Sequence, residues 1–445
     1  MIHNLWNDLE GTFFPESALD YMPEQRLREV QLQRLKAVTA LAYERVTLFR
    51  SRMDAKGVKP ADVRTLADVR LLPFAVKNDL RDTYPYGLFA VPMCEVVRLH
   101  ASSGTTGKPI VVGYTAQDMD VWKQVIMRTL YAAGYSRGDV VQNMYGYGLF
   151  TGGLGLHGGL EGIGATVIPI SGGNSERQIM VMKDFGVTAV CSTPSYFIHL
   201  IEIAGKMGID FRKDLKVKRG VFGAEPWTDQ MRQYIESASG VKAFDIYGLS
   251  EIIGPGVGAE CECQDGLHIF EDHFLVEIVD PKTLEPVPDG QEGELVITTL
   301  SKQAMPVIRY RTRDITAIDT RPCGCGRTVR RIRRISRRSD DMFIIRGVNV
   351  FPSQIETALL KTEASLPHYQ IVLTRKSGLD QMEVRVEITG EMLRDRVGEM
   401  EQLQKRFGRS IEQITGLHVE VTLVQPGTIP RSEGKARRLL DQRNA

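Results

Sequence analysis

The sequence lacks a membrane-sized apolar run. Its longest stretch without Asp, Glu, Lys or Arg, from Val140 to Leu160, is rich in glycine and aromatic residues and makes a poor hydrocarbon span. It also lacks a bias of charge. Fifty-six basic and fifty-five acidic residues leave a net charge of +1, and that balance argues against a nucleic-acid or anionic-membrane partner. The first residues, MIHNLWNDLEGTFF, show no basic segment followed by an apolar one, so a cytosolic protein without a signal peptide is expected. Cysteine is sparse, with six in 445 residues, and structural disulfides are not expected of such a chain. Internal repeats and low-complexity tracts are missing too. A hydrophobic fraction of 42% with 25% charged residues fits an ordinary globular protein of roughly two or three domains.

Periodicity gives the outline. Leu27, Val30, Leu35, Val38, Leu41, Val46 and Phe49 recur near helical spacing, which predicts an amphipathic helix over about 24–50. Short β-rich runs at 96–99, 110–112, 165–168, 187–190 and 221–222 alternate with helical patterns such as 115–133 and 175–185. That alternation predicts an α/β body with a largely parallel sheet. From about residue 274, strands at 274–279, 293–299 and 307–310 predict a β-rich subdomain. Strands at 370–374, 382–388 and 419–424 around a charged helix at 391–414 predict a small C-terminal α+β domain. The expected division is 1–339 and 340–445, near Ser339-Asp340-Asp341.

Five motifs carry chemistry. Ser102-Ser103-Gly104-Thr105-Thr106-Gly107-Lys108-Pro109 sets hydroxyls and freely turning glycines between two predicted strands, as a phosphate-gripping loop does. It is not a Walker A loop, because Pro109 follows the lysine. Tyr247-Gly248-Leu249-Ser250-Glu251 offers a ring to stack on a base and a carboxylate for Mg²⁺. Tyr310-Arg311-Thr312-Arg313-Asp314 offers a carboxylate for both ribose hydroxyls. Ser339-Asp340-Asp341 precedes Ile345-Arg346-Gly347, and Pro430-Arg431-Ser432-Glu433-Gly434-Lys435 sets a lysine on a flexible turn. Alone, each also reads as a core tyrosine, a salt-bridged aspartate, a linker or a solvated lysine. It is their common order that argues for a nucleotide enzyme.

In that order the motifs resemble the adenylate-forming superfamily of acyl-CoA synthetases, peptide-synthetase adenylation domains and luciferases. Tyr84-Pro85-Tyr86-Gly87-Leu88-Phe89-Ala90-Val91-Pro92, His100–Gly104, Gly223-Ala224-Glu225-Pro226-Trp227 and Arg346-Gly347-Val348-Asn349-Val350-Phe351-Pro352 narrow the resemblance to the phenylacetate–coenzyme A ligases. Two positions depart from the superfamily pattern. Arg313 stands where Gly usually precedes the ribose Asp, and Arg337-Arg338 stands for the usual Gly-Arg. The resemblance implies ATP, Mg²⁺ and coenzyme A as reactants and cofactors, and a homodimer. It implies nucleotide contacts from Ser102–Lys108, Gly223–Pro226, Asp245, Ile246, Tyr247, Gly248, Ser250, Asp314 and Arg338. Lys435 and Glu251 are then catalytic, and Asp340 is the hinge of a mobile domain that carries Lys435 to and from the α-phosphate. Two alternatives stay open: a stand-alone adenylating enzyme serving another acid or a carrier protein, and a silent nucleotide-binding module.

Tyr145, Tyr147 and Phe150, with glycines between them, and Gly223 are the expected pocket for an aromatic acid, although rings of this kind also serve simply as core. Gly153-Leu154-Gly155-Leu156-His157-Gly158 matches G-x-G-x-x-G, but no clean strand precedes it, so a Rossmann fingerprint is rejected. Cys261, Cys263, Cys323 and Cys325, with His268 nearby, predict a structural zinc site whose fourth ligand is either Cys263 or His268. Unligated thiols are the plainer reading of the same residues. Eight arginines between Arg321 and Arg338 read as a solvated strand and domain junction that can meet coenzyme A phosphates.

Overall fold

The computed structural model describes residues 15–102, 109–335, 337–339, 341–346, 348–362, 368–376, 379–388, 397–430 and 438–443. Within them a large N-terminal α/β domain is followed by a small C-terminal α+β domain.

A nine-stranded sheet forms the centre of the large domain. One half is parallel and runs in the order Thr166–Ile168, Val140–Asn143, Ala189–Ser192, Arg219–Phe222, Lys242–Leu249. The other half continues antiparallel through Ile253–Glu260, Leu267–Ile269, Arg331–Ile332 and Ile318–Asp319. The expected largely parallel sheet therefore covers only half of what forms. Past Lys242–Leu249 the chain turns back directly instead of crossing over through a helix, and a direct return permits only antiparallel pairing. A second sheet, Phe274–Val279, Gly293–Thr299, Tyr310–Thr316 and Arg337–Arg338, is the expected β-rich subdomain.

Local departures from the sequence reading have local causes. The helix expected over 24–50 is two helices, Glu24–Arg45 and Thr47–Ala55, because Val46 is extended at φ −111°, ψ 107°. The strand expected at 307–310 starts only at Tyr310, since Arg309 is left-handed at φ 44° and cannot lie in an extended run. The glycine run at 153–158 lies inside the helix Thr151–Gly162. There the glycines allow close helix packing: a Cβ on Gly155 would sit 2.4 Å from the Trp122 ring, and one on Gly159 2.0 Å from Ile126. Both partners belong to the helix Ala116–Ala132.

The C-terminal domain pairs Glu420–Val424, Leu379–Glu387, Tyr369–Lys376 and Leu439–Asp441 in that order. The helices Pro352–Thr362 and Val397–Thr415 pack against this sheet, around a separate core that includes Ile355, Leu359, Ile371, Val384, Phe407 and Ile411. Residues 391–396 of the expected helix lie outside the described residues.

Candidate active site

The parallel strands end where the site begins. Ala224, Glu225 and Pro226 follow the strand Arg219–Phe222, and Asp245–Leu249 close the strand Lys242–Leu249. With Asp314, Arg334, Ile335 and Arg338 from the neighbouring sheets and junction, they line one cleft of about 100 Å³. Ligand crevices in α/β sheets lie at such carboxyl ends. The approach is tight: a Cβ on Gly223 would sit 2.6 Å from the Ile246 carbonyl, and Ala224 is held left-handed at φ 70°. A strained non-glycine residue of this kind often marks a functional site.

Asp314 is the electrostatic centre of the cleft. Tyr247 donates its hydroxyl to Oδ2 at 2.6 Å, and Arg338 donates to Oδ1 at 2.8 Å. Burial pushes the Tyr247 phenol well up, and the Asp314 carboxylate adds to that, so the hydroxyl stays a donor. Tyr247 therefore meets the cleft as a buried hydrogen-bonding ring. The expected base contact is compatible with its place in the lining. Asp245 accepts from the Trp227 indole at 2.9 Å and faces Arg334 at 3.4 Å. Burial, then the nearby Glu260 carboxylate, pushes Asp245 up, while Arg232 holds Glu260 through two bonds of 2.7 Å.

The arginine run is only in part the solvated strand that was expected: Arg321 and Arg333 are exposed, but the rest are drawn into the fold. Arg331 is 2% exposed and paired to Asp265 and Asp319, Arg327 binds Asp20, and Arg330 binds Glu271. Arg334 stacks 4.5 Å over Trp227 in the cleft. A run of like charges looks solvated in sequence, and only the fold shows the acids that neutralise it. Arg334 and Trp227 were both missed as site residues, although Trp227 already stood in the Gly223–Trp227 motif.

Glu251 is buried, and burial, then the nearby Glu251 carboxylate, pushes the Tyr310 phenol well up. A buried carboxylate is the kind of oxygen donor Mg²⁺ takes, the ion usually being held by one or two carboxylates plus substrate phosphates and water. Beside it Lys302 is 3% exposed and donates to the carbonyls of Glu251 and Ile252. Burial brings its ammonium down to about 8, against the pull of Asp118 and Glu251. Ser250 Oγ lies 3.3 Å from Thr151 Oγ1. Ser102 closes the base of its hairpin through Ile110, by bonds of 3.0 and 3.2 Å. Residues 103–108, Asp340 and Lys435 lie outside the described residues.

On the acid side, Tyr145 is buried with its hydroxyl on the Ser192 carbonyl at 2.6 Å. Tyr147 receives the Asn143 amide at 2.8 Å and contacts His157 Nδ1 at 3.1 Å. Phe150 is exposed at the start of the helix Thr151–Gly162. The three rings are thus differently placed: one is anchored in the core, one is half-buried and bonded, and one is open to solvent.

Away from the cleft, Cys261, His268, Cys323 and Cys325 bring their ligand atoms within 4.8 Å of one another. Cys261 and Cys323 sulfurs are 3.6 Å apart, and Cys325 Sγ is 3.4 Å from His268 Nε2. A zinc tetrahedron with bonds of about 2.0–2.3 Å has edges of roughly 3.5–3.8 Å, so these residues fit the ion. Hydrogen bonds from Cys261 and then His268 hold the Cys325 thiol far below its usual range, while Cys261 is pushed up. Cys263 is exposed and outside the group. Of the two candidates for the fourth position, the geometry selects His268.

Comparison with known proteins fits this site. The family described as AMP-binding enzyme matches residues 92–305, and the AMP-binding enzyme C-terminal domain matches 347–443. Phenylacetate-coenzyme A ligase of Thermus thermophilus is 50% identical over 96% of this chain and 98% of its own. That of Escherichia coli K12 is 51% identical over 94% and 95%. The chain belongs to the phenylacetate–coenzyme A ligase family. Among solved structures, a 2-hydroxyisobutyryl-CoA ligase in its postadenylation state, with an acyl-AMP bound, superposes at TM-score 0.90 with 29% identity, over 99% of this chain and 94% of that one. In its thioesterification state the same ligase superposes at only 0.72, with 30% identity and the same coverage. The two domains of this phenylacetate–coenzyme A ligase family member are therefore arranged much more like the postadenylation state.

The family member's two departures now have a physical setting. Arg313 is left-handed at φ 69°, a conformation that glycine adopts without strain. Glu294 holds the arginine there, accepting from its backbone N–H at 3.3 Å and facing its guanidinium at 3.6 Å. Arg337 lies over the Phe351 ring at 5.3 Å, while Arg338 keeps the bond to Asp314.

Proposed function

We propose that this ligase activates an aryl acetate, phenylacetate first, with ATP and transfers the acyl group to coenzyme A, releasing AMP and pyrophosphate. The observation that carries the reading is the meeting, in one cleft, of Ala224–Pro226, Asp245–Gly248, Asp314 and Arg338, residues drawn from separate motifs. The names of the relatives support the choice of acid, and the rings at Tyr145, Tyr147 and Phe150 suit an aromatic one.

In this reading the substrate carboxylate attacks the α-phosphate while Lys435 offsets the charge that builds up there. Ser102–Lys108 wrap the phosphates, Asp314 takes the ribose hydroxyls, and Glu251 holds Mg²⁺. The ion supplies electrostatic neutralisation of the triphosphate. The domain 340–445 then turns about Asp340 relative to 1–339, withdraws Lys435 and admits the thiol. Cys261, His268, Cys323 and Cys325 would hold one zinc, structural because four protein ligands leave no open position. We place the enzyme in the cytosol and, on the strength of the resemblance, read it as a homodimer. No helix among the described residues is long and apolar enough to cross a membrane.

The test is coenzyme A-dependent AMP release across a panel of acids: phenylacetate, hydroxyphenylacetates, benzoate, 2-hydroxyisobutyrate and a long-chain fatty acid. Phenylacetate or a close aryl acetate should give the highest kcat/KM. Efficient turnover of the fatty acid with none of the aryl acetates would end the reading.

A further inference from the structure

Lys302 belongs to none of the motifs that define the site, yet it is among the most deeply buried charges beside it. Taking an ammonium out of water is costly, so a lysine kept in the interior needs strong compensation. Its Nζ donates to two backbone carbonyls, Glu251 at 3.1 Å and Ile252 at 2.9 Å, and sits 4.7 Å over the Tyr114 ring. These bonds hold the peptide units that immediately follow Glu251, and so restrain the backbone from which its carboxylate extends.

The segment that carries Lys302 is itself clamped. Asp118 accepts from the backbone N–H of Gln303 at 2.6 Å and of Ala304 at 2.9 Å, and also from Thr115 at 2.9 Å. Asp118 lies in the first turn of the helix Ala116–Ala132, capped by Thr115. An unbroken set of contacts therefore runs from a rigid helix through Asp118 and residues 303–304 to Lys302, and on to the turn bearing Glu251.

We propose that Lys302 is a positioning residue for adenylate formation, which holds the Glu251 carboxylate in the direction needed for Mg²⁺ on the nucleotide. The proposal rests on the reading of Glu251 as the metal ligand. Outer contacts that orient a metal ligand commonly matter about 10–100-fold in metal affinity.

The experiment compares Lys302→Met, Asp118→Asn and Glu251→Gln in the full chain. Three quantities are read: free Mg²⁺ at half-maximal acyl-adenylate formation, Mg²⁺-dependent binding of a non-hydrolysable ATP analogue by calorimetry, and thioester formation from synthetic phenylacetyl-adenylate plus coenzyme A. Lys302→Met should raise the half-saturating Mg²⁺ by about tenfold in both the kinetic and the binding measurement. It should change thioester formation by no more than about twofold, a split that general loosening of the fold would not produce. Glu251→Gln should shift the Mg²⁺ dependence further. If it does and Lys302→Met does not, the positioning role is overturned and the metal ligand stands. If Glu251→Gln leaves the Mg²⁺ dependence unchanged, the metal reading itself fails and takes the relay with it. Should Lys302→Met fail to fold, Asp118→Asn decides, since it loosens the same segment with the lysine retained. A shift in the same direction supports the relay, and an unchanged Mg²⁺ dependence overturns it.

Discussion

The Tyr247 hydroxyl and the Asp314 carboxylate, 67 positions apart in sequence, meet at 2.6 Å. The contact joins the strand that ends at Leu249 to the strand Tyr310–Thr316 of the second sheet. The cleft thus includes a hydrogen bond between two sheets, completed by Arg338 at the domain junction.

That arrangement predicts how the site fails. Tyr247→Phe removes one hydrogen bond to a carboxylate and should cost about 1.5–3 kcal/mol of stability. Asp314→Ala also takes the nearest carboxylate from the Arg338 guanidinium and should cost more, about 3–5 kcal/mol. Both should raise KM for ATP, and Asp314→Ala should do so more. Thermal melts with and without ATP, together with ATP saturation curves, check both effects. Wild-type values for Tyr247→Phe would show the bond to be incidental.

Zinc is the second prediction. Untagged protein should contain about one Zn²⁺ per chain, because Cys261, His268, Cys323 and Cys325 supply a full tetrahedral set. Cys325→Ser and His268→Ala should lose the metal and lower Tm, whereas Cys263→Ser should keep both. Elemental analysis with calorimetry distinguishes the cases. Stable, metal-free wild-type protein would count against the site, and so would zinc lost on Cys263→Ser.

Much of the site was legible because its chemistry is linear. Tyr247–Glu251 and Tyr310–Asp314 are short runs, and the fold brings Tyr247 and Asp314 into one cleft. What could not be read depends on pairing across the fold. His268 was chosen over Cys263 by the strand Leu267–Ile269, whose register sets His268 beside Ala259 and Arg331 and brings it to the cysteines. Arg334 lay in a run read as solvated and Lys302 drew no reading, since sequence does not reveal which acids and carbonyls will surround a cation. The helix Thr151–Gly162 was hidden because glycine is a poor helix former, and its use there is close packing onto Trp122 and Ile126.

The third prediction is a pH dependence. Burial and Glu260 push Asp245 up to about 8, well above its unfolded value of 3.8. A carboxyl with a raised folded pKa favours the folded state fully below the unfolded value. That contribution declines as pH rises and is lost by the time pH passes the folded value. The Asp245 contribution should therefore fall between about pH 4 and pH 8. Asp245→Asn retains an oxygen to accept from the Trp227 indole but cannot ionise. Its Tm should fall less than wild type's between pH 6 and pH 9. Parallel curves for the two proteins would refute the assignment.

The last prediction separates the two half-reactions. Lys435 and Asp340 lie outside the described residues, but Arg438, three positions after Lys435, stacks 4.4 Å over Tyr369 within the C-terminal domain. Position 438 is thus tied to that domain. If Lys435 offsets charge only while the carboxylate attacks the α-phosphate, Lys435→Ala should slow adenylate formation by on the order of a hundred- to a thousandfold. Thioester formation from synthetic phenylacetyl-adenylate and coenzyme A should be far less affected, since the turned domain has by then carried the lysine away. Asp340→Pro makes the converse test: a restrained hinge should spare adenylation, given the postadenylation-like arrangement found here, and impair transfer to the thiol. Rapid-quench measurement of each step decides. Near-normal rates for both steps in Lys435→Ala would leave the lysine a solvated side chain, and equal slowing of both would rule out its withdrawal between them.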